Sequence, residues 1–236
     1  MNLGYDASDG SLLNLDGDVL VYRIGFTTQE ESEKIALVRL NAYIDEILQN
    51  SKASDYKVYL SCPSAENFRL KLYPHYKQGR PPKPLHYQAL RDYLIQYENA
   101  YVAVEQEADD ELGINQTENT ICGSNDKDLL MIPGRHFNFV KNRFTYITPE
   151  EGIRNFYKQL LTGDDTDKIP GIYGVGPAKA ENILGDAKTE EEYKLKVLAA
   201  YKDHFPYCSN VERYNHINMV GKLLWIKRTP DDDWRF

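Results

Sequence analysis

The stretch Ser11-Leu12-Leu13-Asn14-Leu15-Asp16-Gly17-Asp18 decides how the rest of the chain is read. Its apolar run over 11–15 is short and nearly continuous, the pattern of a buried strand, and it ends on two acids. The same succession recurs downstream. A run over 101–104 leads into Glu107, Asp109, Asp110 and Glu111, and a run over 120–123 leads into Asp126 and Asp128. A further strand is predicted over 56–61, where Val58 and Leu60 alternate with Lys57 and Tyr59. Helices are predicted over 33–49, 85–98 and 108–116, the first with the apolar stripe Leu37, Leu40, Ile44, Ile47 and Leu48. Strands alternating with helices of this length predict an α/β fold with a mainly parallel central sheet flanked by helices. In such a sheet the carboxyl ends of the strands share one edge, where ligand crevices form. Acids far apart in sequence are therefore expected to converge.

From Pro149 the pattern changes. Helices are predicted over 149–161, 177–184, 189–200 and 211–226, interrupted by a Gly-rich stretch over 163–176. This divides the chain into an α/β core over 1–148 and a helical subdomain over 149–236. A fourth acidic cluster, Gly163-Asp164-Asp165-Thr166-Asp167, lies in the Gly-rich stretch and is placed to close the ring from the helical side.

Convergent carboxylates repel one another, and burial raises their pKa unless cations are present. Glu107 also opposes Asp110 and Glu111 within one helical turn, which weakens the helix. Hard divalent cations relieve both problems, and Mg²⁺ or Mn²⁺ suits a donor set made of carboxylates alone. Any single cluster is better read as a helix cap or a solvated face. Four clusters in this placement favour a metal site.

The bulk composition is that of an ordinary globular domain. The 236 residues are 42% hydrophobic and 27% charged, with 28 Lys and Arg against 36 Asp and Glu, for a net charge of −8. That excludes a basic DNA-coating protein and a disordered chain. No apolar stretch approaches the roughly 18 residues that span a bilayer, so no membrane partner is expected. The first residues, Met1-Asn2-Leu3-Gly4-Tyr5-Asp6, lack the basic and apolar segments of a signal peptide. Cys62, Cys122 and Cys208 are widely spaced and form no C-x-x-C, which argues for the reducing cytoplasm and against a zinc site.

Residues 67–91 contain no acid. They carry Arg69, Lys71, Lys77, Arg80, Lys83 and Arg91, interleaved with Phe68, Tyr73, Tyr76 and Tyr87. Basic groups bind phosphates and aromatic rings stack on unpaired bases. Gly79, Pro81, Pro82 and Pro84 break the centre of this segment, which predicts a protruding loop or arch. Alone it reads equally as a solvated basic loop; beside an acidic metal site it reads as a phosphate clamp. The turn Gly174-Val175-Gly176-Pro177-Ala178-Lys179 is G-x-G-x-x-K with no strand leading into it, which argues against a dinucleotide fold. It suits a turn that grips one backbone phosphate at a helix start.

Several motifs together resemble the flap endonuclease and 5′–3′ exonuclease family, most of all its bacteriophage exonuclease branch. They are Asp16-Gly17-Asp18, Phe68-Arg69 with Tyr76-Lys77-x-x-Arg80, Glu107-Ala108-Asp109-Asp110, Asp126-Lys127-Asp128, and Gly163-Asp164-x-x-Asp167 with Gly174-Val175-Gly176-Pro177-x-Lys179. The resemblance covers nearly the whole chain, from Leu13 to about Trp225. It implies a PIN-like nuclease core, a helical arch over 67–91, and a C-terminal helix–three-turn–helix subdomain. By motif, Asp16, Glu107, Asp109, Asp126 and Asp128 would serve one Mg²⁺ or Mn²⁺ ion, and Asp110, Asp164 and Asp167 a second. Lys77 and Arg80 would be catalytic, on the scissile phosphate. Tyr76 would stack near the reacting nucleotide, with Lys83 also on DNA. Gly174, Gly176 and Lys179 would hold the duplex, with K⁺ bridging loop and phosphate.

The implied activity is metal-dependent hydrolysis at 5′ ends of duplex, nicked or flapped DNA, or of an RNA primer strand. The enzyme would act as a monomer in the cytoplasm, the host's if phage-encoded. Asp18 fits the phage form of the first motif and equally caps the next helix. One departure stands out: Cys62 occupies the position after the second strand where the family usually has an Asp, with Glu66 the nearest acid. Two other readings remain. Asp16-Gly17-Asp18 also resembles the nucleophile motif of haloacid-dehalogenase-type phosphatases, although Leu20 stands where Thr or Val is wanted. The missing acid at Cys62 also admits a DNA-binding scaffold with weakened catalysis.

Overall fold

The strand expected over 11–15 forms as β1 (Leu12–Asp16) at the centre of the sheet in the computed structural model, which describes residues 10–236. The signal-peptide reading of residues 1–6 lies outside the described residues. The other strands are β2 (Asp55–Leu60), β3 (Tyr101–Val102), β4 (Thr120–Gly123), β5 (Gly134–Asn138) and β6 (Arg143–Ile147). Their order is β3-β2-β1-β4-β5-β6, parallel throughout except for β6, which runs antiparallel to β5. The β5–β6 hairpin was not expected. Its strands alternate poorly, and in β5 only His136 and Phe137 are buried.

The connections form helices α1 (Gly17–Thr27), α2 (Glu33–Ser51), α3 (Phe68–Leu72), α4 (Tyr87–Tyr97), α5 (Ala108–Ile114), α6 (Pro149–Thr162), α7 (Pro177–Leu184), α8 (Glu190–His204) and α9 (Asn210–Leu224). One sheet face presents Leu13, Leu15, Val58, Leu60 and Ile121 to α1, α2 and α4. There α2 buries Ala36, Leu40, Ile44, Ile47 and Ser51, while the predicted Leu37 and Leu48 are only half-buried. The other face presents Tyr59 and Cys122 to a core that continues through Phe156, Leu160, Val197, Ile217 and Trp225 of the helical part. α6 starts on a capping box between Thr148 and Glu151 with a proline in its first turn. It stops at Gly163, whose φ of 66° is left-handed. A Cβ at Gly163 would lie 2.3 Å from the amide nitrogen of Gly171, so two chain segments touch here through glycine alone. That contact folds the Gly-rich stretch back before α7 begins.

Candidate active site

Each acid is aimed by the element it terminates or begins. Asp16 ends β1 and caps α1, accepting from the Val19 N–H at 3.1 Å and the Ser124 hydroxyl at 2.8 Å. Glu107 caps α5, whose first turn carries Asp109. Asp126 and Asp128 follow β4, and Asp167 lies in the turn between α6 and α7. Asp16, Asp18, Glu107, Asp109, Asp126, Asp128 and Asp167 all line one cleft of about 880 Å³.

Crowding sets the protonation of these groups. Burial, then the charges of Asp18 and Asp126, push Asp16 up to about 7. Burial, then Asp126 and Asp164, push Asp128 to about 7 as well. Asp109 is raised by burial and by Asp16, Asp126 and Glu107, and Asp126 by burial and Asp167. Among the described residues no three acids, cysteines or histidines already stand as a ready-made metal cluster. What the cleft supplies is oxygen donors with too little positive charge around them, a set that fits a hard divalent cation. Cys62 also lines the cleft, but burial and Glu107 push its thiol up to about 11, which disfavours a thiolate ligand.

Two expected metal ligands do not face this cleft. Asp110 is fully buried, and Arg69 grips both of its carboxylate oxygens, at 2.5 and 2.9 Å. The backbone N–H groups of Lys227 and Glu107 also donate to it, each at 3.2 Å, so its oxygens are committed to structure. Asp164 accepts from the N–H groups of Thr166 (2.7 Å) and Asp167 (3.0 Å) and faces Lys127 at 3.6 Å. It shapes the turn that carries Asp167. Glu66 is exposed and outside the cleft, and its neighbour Asn67 enters instead, donating to Glu107 at 3.0 Å.

The basic segment divides in the same way. Within the arch segment 67–91 the helical parts are α3 and the start of α4, and residues 73–86 between them contain no helix and cross the cleft as a strap of turns. Tyr76 is only 4% exposed, and its hydroxyl donates to Glu107 (2.8 Å) and reaches Asp167 (3.2 Å). Its ring is packed and cannot stack on a base here, contrary to expectation. Lys77 pairs with Glu107, lies 3.7 Å from Asp167, and its backbone N–H donates to the Asp167 carbonyl at 2.9 Å. Arg80 pairs with Asp167, and the exposed Lys83 lies 4.1 Å over the Tyr87 ring. Arg69 and Arg91 are buried in structural pairs, and Lys71 pairs with Glu105 at 2.6 Å outside the cleft lining. Arg69→Met is expected to destabilise the fold by about 3–5 kcal/mol because it strands Asp110, whereas Lys71→Met should change stability by less than about 0.5 kcal/mol. Urea unfolding of the two variants checks this contrast.

No family profile matches the chain. The flap endonuclease Xni of Shewanella frigidimarina is 31% identical over 205 residues, covering 75% of this chain and 77% of that protein. This chain belongs to the flap endonuclease family. The Xni protein of Shewanella denitrificans is 28% identical over 201 residues, covering 76% of this chain and 79% of its own length. The fold is shared with the T5 D15 protein co-crystallized with metal ions, at a TM-score of 0.60 and 18% identity over 90% of this chain and 86% of that one.

Within this family member the Gly174–Lys179 turn stands apart from the cleft. The Val175 N–H closes a turn onto the Ile172 carbonyl at 3.0 Å, and Gly174 adopts φ 73°. A Cβ on Gly174 or Gly176 would meet nothing within 4 Å, so these glycines leave an open face beside the exposed Lys179. Three further cleft-side residues escaped sequence reasoning. Asn67 orients Glu107, Ser124 orients Asp16, and Gln159 donates to Asp128. Neutral amides and hydroxyls carry no charge pattern; the one available signal is that Ser124 directly follows β4.

Proposed function

We propose that this chain is a divalent-metal-dependent 5′ nuclease that hydrolyses phosphodiester bonds at the 5′ ends of duplex, nicked or flapped DNA. The observation that carries the reading is the cleft of mutually repelling carboxylates crossed by Lys77 and Arg80, in a chain of the flap endonuclease family. Structures with the same fold, a T5 flap endonuclease with DNA and metal ions and the Rad2 core with a DNA substrate, support it. Asp16, Asp109, Asp126, Asp128 and Asp167, with Glu107, would hold two Mg²⁺ or Mn²⁺ ions. Such ions, when bound, activate a water and stabilise the oxygens of an in-line displacement.

The chain's own groups do the rest. Burial lowers the proton affinity of Lys77, but Glu107 and Asp167 more than reverse this, so it stays cationic. When substrate enters, Lys77 and Arg80 exchange carboxylate partners for phosphate oxygens and stabilise charge that develops there. Ser124, Asn67 and Gln159 keep the carboxylates oriented. The Gly174–Gly176 face and Lys179 would receive the duplex backbone, and the same turn would hold K⁺. We assign residues 1–148 to the nuclease core and 149–236 to the DNA-gripping subdomain of a cytoplasmic monomer, with an RNA primer strand as an alternative to DNA. The phosphatase reading is disfavoured because it gives no role to Lys77 and Arg80 or to the open Gly174–Lys179 turn.

The test is a panel of 5′-labelled duplex, nicked and flapped substrates with and without Mg²⁺. Short 5′-labelled products in Mg²⁺ are expected. Hydrolysis of a small phosphomonoester without DNA cleavage would favour the phosphatase, and DNA binding without turnover the scaffold. Arg80→Ala should slow cleavage about 10²-fold while leaving the melting temperature nearly unchanged, since its side chain is partly solvated.

A further inference from the structure

The segment that crosses the cleft stands on two feet, and each foot is tied to the start of a helix that carries cleft acids. Upstream, Arg69 on α3 holds Asp110 through both terminal nitrogens and donates to the carbonyls of Leu223 (2.9 Å) and Trp225 (2.8 Å). Downstream, Arg91 on α4 donates to Asp18 and to the Ser61 carbonyl, each at 2.9 Å. The second oxygen of Asp18 accepts from the Ser61 N–H at 3.0 Å, and the Ser61 hydroxyl accepts from the Ala108 N–H at 3.0 Å in the first turn of α5. Asp16-Gly17-Asp18 and Glu107-Ala108-Asp109-Asp110 thus divide labour alike. In each, the last acid holds an arginine; Asp110 does so outside the cleft and Asp18 from its lining.

We infer that the Arg69–Asp110 and Arg91–Asp18 pairs are positioning elements for cleavage, fixing the line along which the strap lays Lys77 and Arg80 over the acids. The inference rests on the nuclease reading. The Tyr76 hydroxyl and the Lys77 N–H tie the middle of the strap to Glu107 and Asp167, and the two arginines tie its ends, so the feet share in setting where Lys77 and Arg80 lie. A planar guanidinium that donates to two acceptors fixes direction as well as distance, and a lysine at position 91 would keep the charge but lose the fork. Because the partners sit in the same short motifs as the cleft acids, the strap moves with α1 and α5 and stays registered to the site.

Arg91→Met, at the less buried foot, gives the test in a double-mutant cycle with Arg80→Ala. With 5′-flap DNA and Mg²⁺, Arg91→Met alone should lower kcat roughly tenfold and leave KM within about twofold. In the Arg80→Ala background the same change should cost less than about threefold, because part of the group it aims is already gone. A second readout needs no turnover. Within 73–86 trypsin can cut only after Lys77, since Arg80 and Lys83 are each followed by proline. Cutting at Lys77 in the folded protein should accelerate about fivefold or more in Arg91→Met, while Arg91→Lys falls between. Additive kcat effects, or trypsin cutting at the wild-type rate, would overturn the positioning role. A wild-type protein that cleaves no DNA would instead overturn the nuclease reading, with the trypsin rates still reporting whether the feet hold the strap.

Discussion

In EDTA, the protein is expected to lose stability as the pH rises from about 4 to about 7, and divalent cations are expected to restore it mainly at the upper end. Asp16 and Asp128 ionise near 7 in the folded protein, against 3.8 for an ordinary aspartate. A carboxyl whose folded pKa lies above its unfolded pKa binds more protons when folded. Stability therefore falls across the interval between the two values and levels off above the higher one. Glu107 acts in the opposite sense. Burial would raise it, but Lys77 and Arg69 hold it down to about 2, so its stabilising pairs are present above its ordinary 4.5 and are lost as the pH falls toward 2. The metal-free protein should therefore be most stable near pH 4–5. Since each tenfold change in proton affinity is about 1.4 kcal/mol, the cost at pH 8 is several kcal/mol. Thermal unfolding at pH 8 should show a gain of roughly 10 °C on replacing EDTA by millimolar Mg²⁺, with little gain at pH 5. A gain that is equal at both pH values would contradict this picture of the cleft.

Asp109→Asn and Asp110→Asn should have opposite effects on stability although the residues are adjacent. Asp109 stands among Asp16, Asp126 and Glu107, and neutralising it relieves repulsion. In EDTA at pH 8 its variant should melt several degrees higher than wild type, while Mg²⁺-dependent cleavage falls on the order of 10³-fold. Asp110→Asn removes the charge that balances the fully buried Arg69, and should melt well below wild type. Paired unfolding curves decide the matter. If both variants shift in the same direction, the division between cleft acid and anchoring acid is wrong.

Those adjacent acids also show where sequence reasoning ends. The sheet was legible because β1, β2 and β4 are apolar runs with acids or turns behind them, and α7 because a proline starts it. The β5–β6 hairpin was not, since its polar residues are tolerated at a sheet edge that only the folded chain reveals. Convergence of the acids followed from parallel strands alone. Their individual roles did not, because successive helical residues point about 100° apart and the sequence names only the residue type. Arg69 and Lys77 look alike in a basic segment, yet carbonyls more than 150 residues away bury the first. Tyr76 likewise reads as a stacking ring until Glu107 and Asp167 are seen to hold its hydroxyl.

The most direct measurement is cleavage of a 5′-labelled flap substrate by the wild type and by Asp126→Ala, each in Mg²⁺ and in EDTA. The account predicts short labelled products from the wild type in Mg²⁺ alone and none from a folded Asp126→Ala protein under either condition. Cleavage that persists in EDTA, or that survives the loss of Asp126, would contradict it.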